Sequence, residues 1–83
     1  MKIKIFAAPI KLPNLREEID LIRTLCQFEG IQYTVDMSLS DDVKKYYKGS
    51  SPAIVFMDES KEVIIYGFWN FVNWVIKNGY RRL

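Results

Sequence analysis

The chain opens on alternation. Lys2, Lys4 and Phe6 fall on one side of an extended segment and Ile3, Ile5 and Ala7 on the other, which predicts a strand over 2–6. Residues 7–13, Ala-Ala-Pro-Ile-Lys-Leu-Pro, break the pattern, because Pro9 and Pro13 remove donors and disfavour helix in the residues before them. An apolar loop is expected there. From Leu15 the period lengthens. Leu15, Ile19, Ile22 and Cys26 share one helical stripe and Leu21, Leu25 and Phe28 broaden it, so a helix over 15–29 is expected to be wetted on one narrow side only. Asn14 and Glu17 have the spacing of a capping box at its start, and Gly30 supplies its stop.

Alternation returns in Ile31-Gln32-Tyr33-Thr34-Val35-Asp36, a second strand. Ser38 or Ser40, followed by Asp41 and Asp42, opens a short helix over 38–47, and Lys44, Lys45 and Lys48 gather at its end, where cations suit the helix dipole. Two strands follow, over 53–57 and 62–66, joined by Asp58-Glu59-Ser60-Lys61 as a hairpin loop. A last helix over 68–78 ends at Gly79. The order βαβαββα, in one domain over 1–83, predicts an α/β fold: a four-stranded mixed sheet with helices on both faces.

Composition narrows the chemistry more than the fold. With 83 residues, 49% of them hydrophobic and 27% charged, the chain is a globular domain with one modest core. Its net charge of +2 is far from the cationic density that phosphate contacts demand, so nucleic acid is not an expected partner. Lys44-Lys45-Tyr46-Tyr47-Lys48 interleaves cations with aromatics, and is read as a solvated helix face with half-buried tyrosines. No apolar run reaches the roughly 18 residues of a membrane span, and none suits a signal peptide, so a cytoplasmic location is expected. A single cysteine and no histidine exclude an internal disulfide, the usual zinc, copper and haem ligand sets, and Ser-His-Asp or Cys-His catalysis. Neither a catalytic residue nor a metal ligand is assigned. Cys26, late on the apolar stripe of the first helix, reads as a small core side chain.

The segment Ser51-Pro52-Ala53-Ile54-Val55-Phe56 carries the remaining signal. A proline cannot donate to a ladder, so at the mouth of a strand it suggests a fixed turn presenting the Ser51 backbone to a partner. Together with Glu29-Gly30-Ile31-Gln32-Tyr33 after the first helix and Ile65-Tyr66-Gly67-Phe68 before the last, this segment makes the chain resemble a compact glutaredoxin of the thioredoxin superfamily over nearly its whole length. The resemblance implies a thioredoxin-like fold and a cis bond at Pro52. Its compact size and reduced site fit a viral or mobile-element version of that family.

The family's reaction does not carry over. Counted back from Gly30, its Cys-x-x-Cys falls near Arg16-Glu17-Glu18-Ile19; counted forward from Phe6, it falls in Lys11 to Asn14. Neither window holds a cysteine, and the thiolate is the nucleophile of disulfide exchange. In the family, glutathione pairs with the cis-proline loop and places its γ-glutamyl end at a Gly-Gly-x-Asp turn. Here Tyr66 replaces the first glycine, and Phe68 and Trp69 are expected to fill the headgroup space. Lys11, Arg16 or Lys48 could still attract a carboxylate.

These residues favour a non-catalytic protein-binding or regulatory module. Its surface is formed by Pro9, Lys11 and Leu12 of the loop over 7–13, with Arg16, Ser51, Pro52, Gly67, Phe68 and Trp69. The alternative is a glutathione-binding or thiol-disulfide protein with a degenerate site, working through Cys26 or a borrowed thiol.

Overall fold

The computed structural model describes residues 2–8, 13–49 and 51–78. In chain order the elements are β1 (Lys2–Phe6), α1 (Pro13–Glu29), β2 (Gln32–Asp36), α2 (Asp41–Tyr46), β3 (Ala53–Asp58), β4 (Lys61–Tyr66) and α3 (Phe68–Lys77). The βαβαββα order read from the pattern is the one observed. The strands form a single mixed sheet in the order β2-β1-β3-β4, with β1 parallel to β2 and antiparallel to β3, and β3 antiparallel to β4.

The alternation of β1 divides the protein into two packed layers. Ile3 and Ile5 face α1 and α3, and they join Ile22, Cys26, Ile54, Phe56, Phe71 and Val75 in the main core. Phe6 faces the other way, beneath α2, with Val43, Ala53 and Val55 and the half-buried Tyr46, Tyr47 and Tyr66. A third cluster of Ala7, Leu15 and Ile19 closes the end of the sheet nearest the start of α1. Helices therefore cover both faces, as the pattern required. The six residues of α2 roof only one end of the second face. Beyond it Met57 and Ile64, on neighbouring strands, are 62% and 40% exposed.

Several boundaries differ from expectation, each for a local reason. α1 begins at Pro13, not Leu15, so Asn14 lies inside the helix and is not its cap. Proline suits the first helical position because its φ is already helical and its missing N–H would have no partner there. Leu21 and Phe28 do not broaden the buried stripe but stand 50% and 81% exposed. α1 packs along one edge of α3 rather than under a second layer, so only Leu25 of that group reaches the core. Gly30 ends the helix as expected: its φ is 71°, and the Ile31 amide donates to the Cys26 carbonyl at 2.8 Å.

α2 is shorter than the 38–47 span, because Ser38 serves the loop before it. Asp36 Oδ1 accepts from the Ser38 amide and hydroxyl, Asp36 Oδ2 accepts from the Ser40 hydroxyl, and Ser40 Oγ accepts from the Val43 amide. Ser40 is thus the cap. The donated hydrogen bonds, those from Ser38 first, hold the Asp36 carboxyl below its ordinary value. The hairpin turn is tighter than a four-residue loop: Asp58 pairs with Lys61, and Glu59 and Ser60 make the turn with φ of 49° and 73°.

Candidate functional site

The residues singled out around Pro52 meet at the start of α3. β3 and β4 pair as far as Ala53 and Tyr66, and one residue beyond, the Gly67 amide donates to the Pro52 carbonyl at 3.0 Å. Pro52 only accepts at this position, so its missing N–H costs nothing. Its ring is fully buried. Among the described residues no peptide bond is cis, so the Ser51–Pro52 bond is trans, against the expectation drawn from the resemblance. The trans form is the ordinary state of an X–Pro bond, favoured by about 0.5–1 kcal/mol, and here it coexists with the Gly67 contact. Pro52 is thus an anchored frame residue, and Ser51, half-buried, is what remains toward solvent.

Gly67 has φ 88° and ψ 160°, a conformation that L side chains rarely adopt. Space is tight as well. A Cβ added there would lie 3.0 Å from Glu18 Oε2 and 3.7 Å from Ser51 Oγ. Without a side chain, Gly67 cannot cap α3, and the cap comes from another helix. Glu18 Oε2 accepts the Phe68 amide at 2.8 Å. A carboxylate suits the partial positive charge of a helix N-terminus and satisfies one of its free N–H groups. The contact also fixes the start of α1 to the start of α3.

The sequence pattern does not point to Glu18 here; its capping-box spacing points to the neighbouring Glu17. The signal that could have found it is positional, because Glu18 stands in the Arg16–Ile19 window where the family's dithiol was counted. Two of the aromatic rings expected to crowd this space turn elsewhere. Tyr66 points to the α2 side, where its hydroxyl donates to the Tyr46 carbonyl at 2.9 Å. Phe68 packs against the main core. Hence Glu18, not a ring, takes the helix-start position.

Trp69 is the exposed member of the group, at 74%, in edge-on contact with Phe68 at a centroid distance of 5.1 Å. Trp74, the other tryptophan, is half-buried against Phe56. Arg16 is exposed near the start of α1. Pro9, Lys11 and Leu12 lie outside the described residues. The structure therefore brings together Ser51, Pro52, Gly67 and Phe68, adds Glu18, and leaves Trp69 projecting beside them.

Cys26 is fully buried in the main core, and burial pushes its thiol up to about 12 from an ordinary 9.0. At neutral pH that lowers the thiolate fraction roughly a thousandfold. Alkylation by iodoacetamide at pH 7 is accordingly expected to be at least about a thousandfold slower in the folded chain than in denaturant. Equal rates in a mass-spectrometric time course would contradict the packing of α1.

The lysine and tyrosine run on α2 behaves as a solvated face. Lys44, Lys45 and Lys48 are exposed, while the Tyr46 ring stacks on Phe6 at 5.2 Å and its hydroxyl donates to Glu62. The described residues contain no cluster of three or more metal-ligating side chains, and no helix among them is long and apolar enough to cross a membrane. No family model matches the chain, and no curated protein or solved structure matches it.

Proposed function

We propose that the chain is a non-catalytic, thioredoxin-like protein that recognises another protein through the surface around Ser51, Gly67, Phe68 and Trp69. The strand order β2-β1-β3-β4 with a parallel β1/β2 pair supports the thioredoxin-like part of this reading, as does the approach of Pro52 to the start of α3. The observation that carries the function is Trp69. A tryptophan 74% exposed, one residue past a turn held from both sides by Pro52 and Glu18, is a large apolar anchor on a fixed mount. Such side chains dominate the energetics of protein interfaces.

Glu18 weighs against the glutathione-binding alternative. An incoming carboxylate would meet a carboxylate already at the helix start, and like charges there repel. Ser51 and Trp69 retain access. The expected partner is a folded protein or an extended segment with a pocket for an indole.

Affinity capture from native-host lysate, with the wild-type chain and Trp69→Ala as parallel baits, tests the reading. At least one protein is expected on the wild type and lost about tenfold or more with Trp69→Ala. Identical captures would remove this surface from consideration. In parallel, amide shifts at Ser51 and Gly67 are expected to stay in place when glutathione is added to millimolar concentration.

A further inference from the structure

β4 is an edge strand, and no described strand lies on its outer side. Its register fixes which backbone groups face outward. The Gly67 amide bonds the Pro52 carbonyl, so in this antiparallel ladder Lys61, Val63 and Ile65 exchange bonds with β3, while Glu62, Ile64 and Tyr66 turn their N–H and C=O away from it. Asn70 Nδ2 donates to the Tyr66 carbonyl at 2.7 Å and closes one end of this row; the turn at Glu59 and Ser60 closes the other. The open edge therefore runs from Glu62 to Tyr66 and is centred on Ile64. Sheet edges are commonly blunted by a lysine, a proline or a bulge. The middle of β4 has none of these: its register against β3 is unbroken, its charges sit by the turn at Lys61 and Glu62, and Ile64 is 40% exposed. On β2, the other edge, Arg23 of α1 lies over the Tyr33 ring.

We propose that a second copy of this chain covers the edge, its β4 running antiparallel to this one about a two-fold axis at Ile64, so that the two sheets join into one. The row of outward groups selects both occupant and register. About Ile64, every outward residue meets an outward residue: Ile64 pairs with Ile64 of the other protomer, and Glu62 pairs with Tyr66 on either side, with two backbone hydrogen bonds at each pair. The Tyr66 carbonyl has a second lone pair for this, beside its bond from Asn70. On the α3 side, Val63 of each protomer stands across from Ile65 of the other. The neighbouring registers are worse. One about Glu62 sets like charges opposite each other, one about Val63 sets Glu62 across from Ile64 and Lys61 across from Ile65, and one about Ile65 runs past the end that Asn70 closes. Self-pairing about Ile64 alone joins apolar to apolar at its centre and opposes no like charges.

α3 flanks the edge and fits the same axis. A groove of about 430 Å³ lies between β4 and α3, lined on the helix by Asn70, Asn73, Trp74 and Lys77. Asn70 stands level with Tyr66 through its bond, and Trp74 stands level with Val63 through its contact with Phe56, so an axis at Ile64 passes between them. The two copies of α3 then approach antiparallel. The groove carries no acidic side chain and a single cation, Lys77, which lies beyond Trp74 and so away from its own copy. The open edge is about 17 Å long, which with its flanking helix belongs to the low end of specific interface sizes and sets the expected dissociation in the high-micromolar range. Trp69 does not line this groove, so the edge and the Trp69 surface are separate.

Sedimentation velocity of the full chain from about 10 µM to about 2 mM tests the pairing. A concentration-dependent monomer–dimer equilibrium is expected. A monomer throughout would overturn it, whether hydrogen exchange finds the Ile64 amide open or covered by the chain itself. Ile64→Lys, which sets two cations on the axis, is expected to raise the dissociation constant at least about 100-fold with the far-ultraviolet spectrum retained, and Ile64→Val to leave it within about threefold; undiminished dimerisation of the folded lysine variant would rule out this edge. The register has its own readout, which does not depend on that variant. Under oxidation, Ile64→Cys chains should link to themselves at least about tenfold faster than Glu62→Cys chains. Cα atoms of a hydrogen-bonded antiparallel pair lie about 5.5 Å apart, within disulfide reach, whereas the two copies of residue 62 would lie about 14 Å apart. Equal rates, or faster linking at residue 62, would overturn the pairing about Ile64, and the buried Cys26 stays out of the reaction.

Discussion

Phe71→Ala is expected to lower the unfolding free energy by about 3–5 kcal/mol, the range for removing a fully buried aromatic ring from a packed core. Phe71 is wholly buried and heads the ranking of buried side chains by volume. It projects from α3 into the cluster of Ile3, Ile5, Ile22, Ile54 and Phe56, so it touches both the sheet and α1. At about 0.05–0.15 kcal/mol per residue, a chain of 83 residues has about 4–12 kcal/mol in all. The substitution therefore removes from about a quarter to all of the stability. Urea denaturation followed by circular dichroism measures it, with Phe28→Ala as the control. Phe28 is 81% exposed, and its removal is expected to change stability by no more than about 0.5 kcal/mol. Similar losses at the two positions would mean that α1 and α3 are packed differently.

Gly67→Ala is expected to cost about 2–6 kcal/mol, from two sources. One is conformational: an L side chain at φ 88° and ψ 160° is strained by about 1–3 kcal/mol. The other is the lost cap. The new methyl would stand 3.0 Å from Glu18 Oε2, and the carboxylate, at the end of a flexible side chain, gives way at the expense of its bond to the Phe68 amide. A half-buried donor left without its partner costs about 1–3 kcal/mol. The two sources separate in a double-mutant cycle. Glu18→Ala alone removes the cap, so the double variant should be less destabilised than the sum of the singles by about 0.5 kcal/mol or more. Strict additivity would show that the methyl and the carboxylate do not meet.

Much of the fold was legible in the sequence because its strands and helices keep clean periods. β1 alternates as far as Ile5, and Phe6, buried on the opposite face, starts the second core. What period could not supply was the depth of each layer. Leu21 and Phe28 sit at positions a thicker protein would bury, but no described residue lies above α1 to cover them. The turn at Glu59 and Ser60 was likewise hidden, since neither residue favours positive φ and the strand register on either side imposes it. At the candidate site, Ser51, Pro52, Gly67 and Phe68 were found through local spacing. Glu18 was not, because it caps a helix that begins 50 residues later. A contact at that separation leaves no local trace in the chain.

The hairpin turn has a practical consequence. Two residues there hold left-handed backbone without the help of glycine, and each is strained by about 1 kcal/mol. The surrounding side chains, Met57 to Glu62, are all exposed. A longer connection would relieve that strain, and each doubling of loop length costs only about 0.6 kcal/mol in closure entropy. Asp58 to Lys61 is thus the point at which this compact chain can best be lengthened, to carry a fluorophore or an epitope without touching either core.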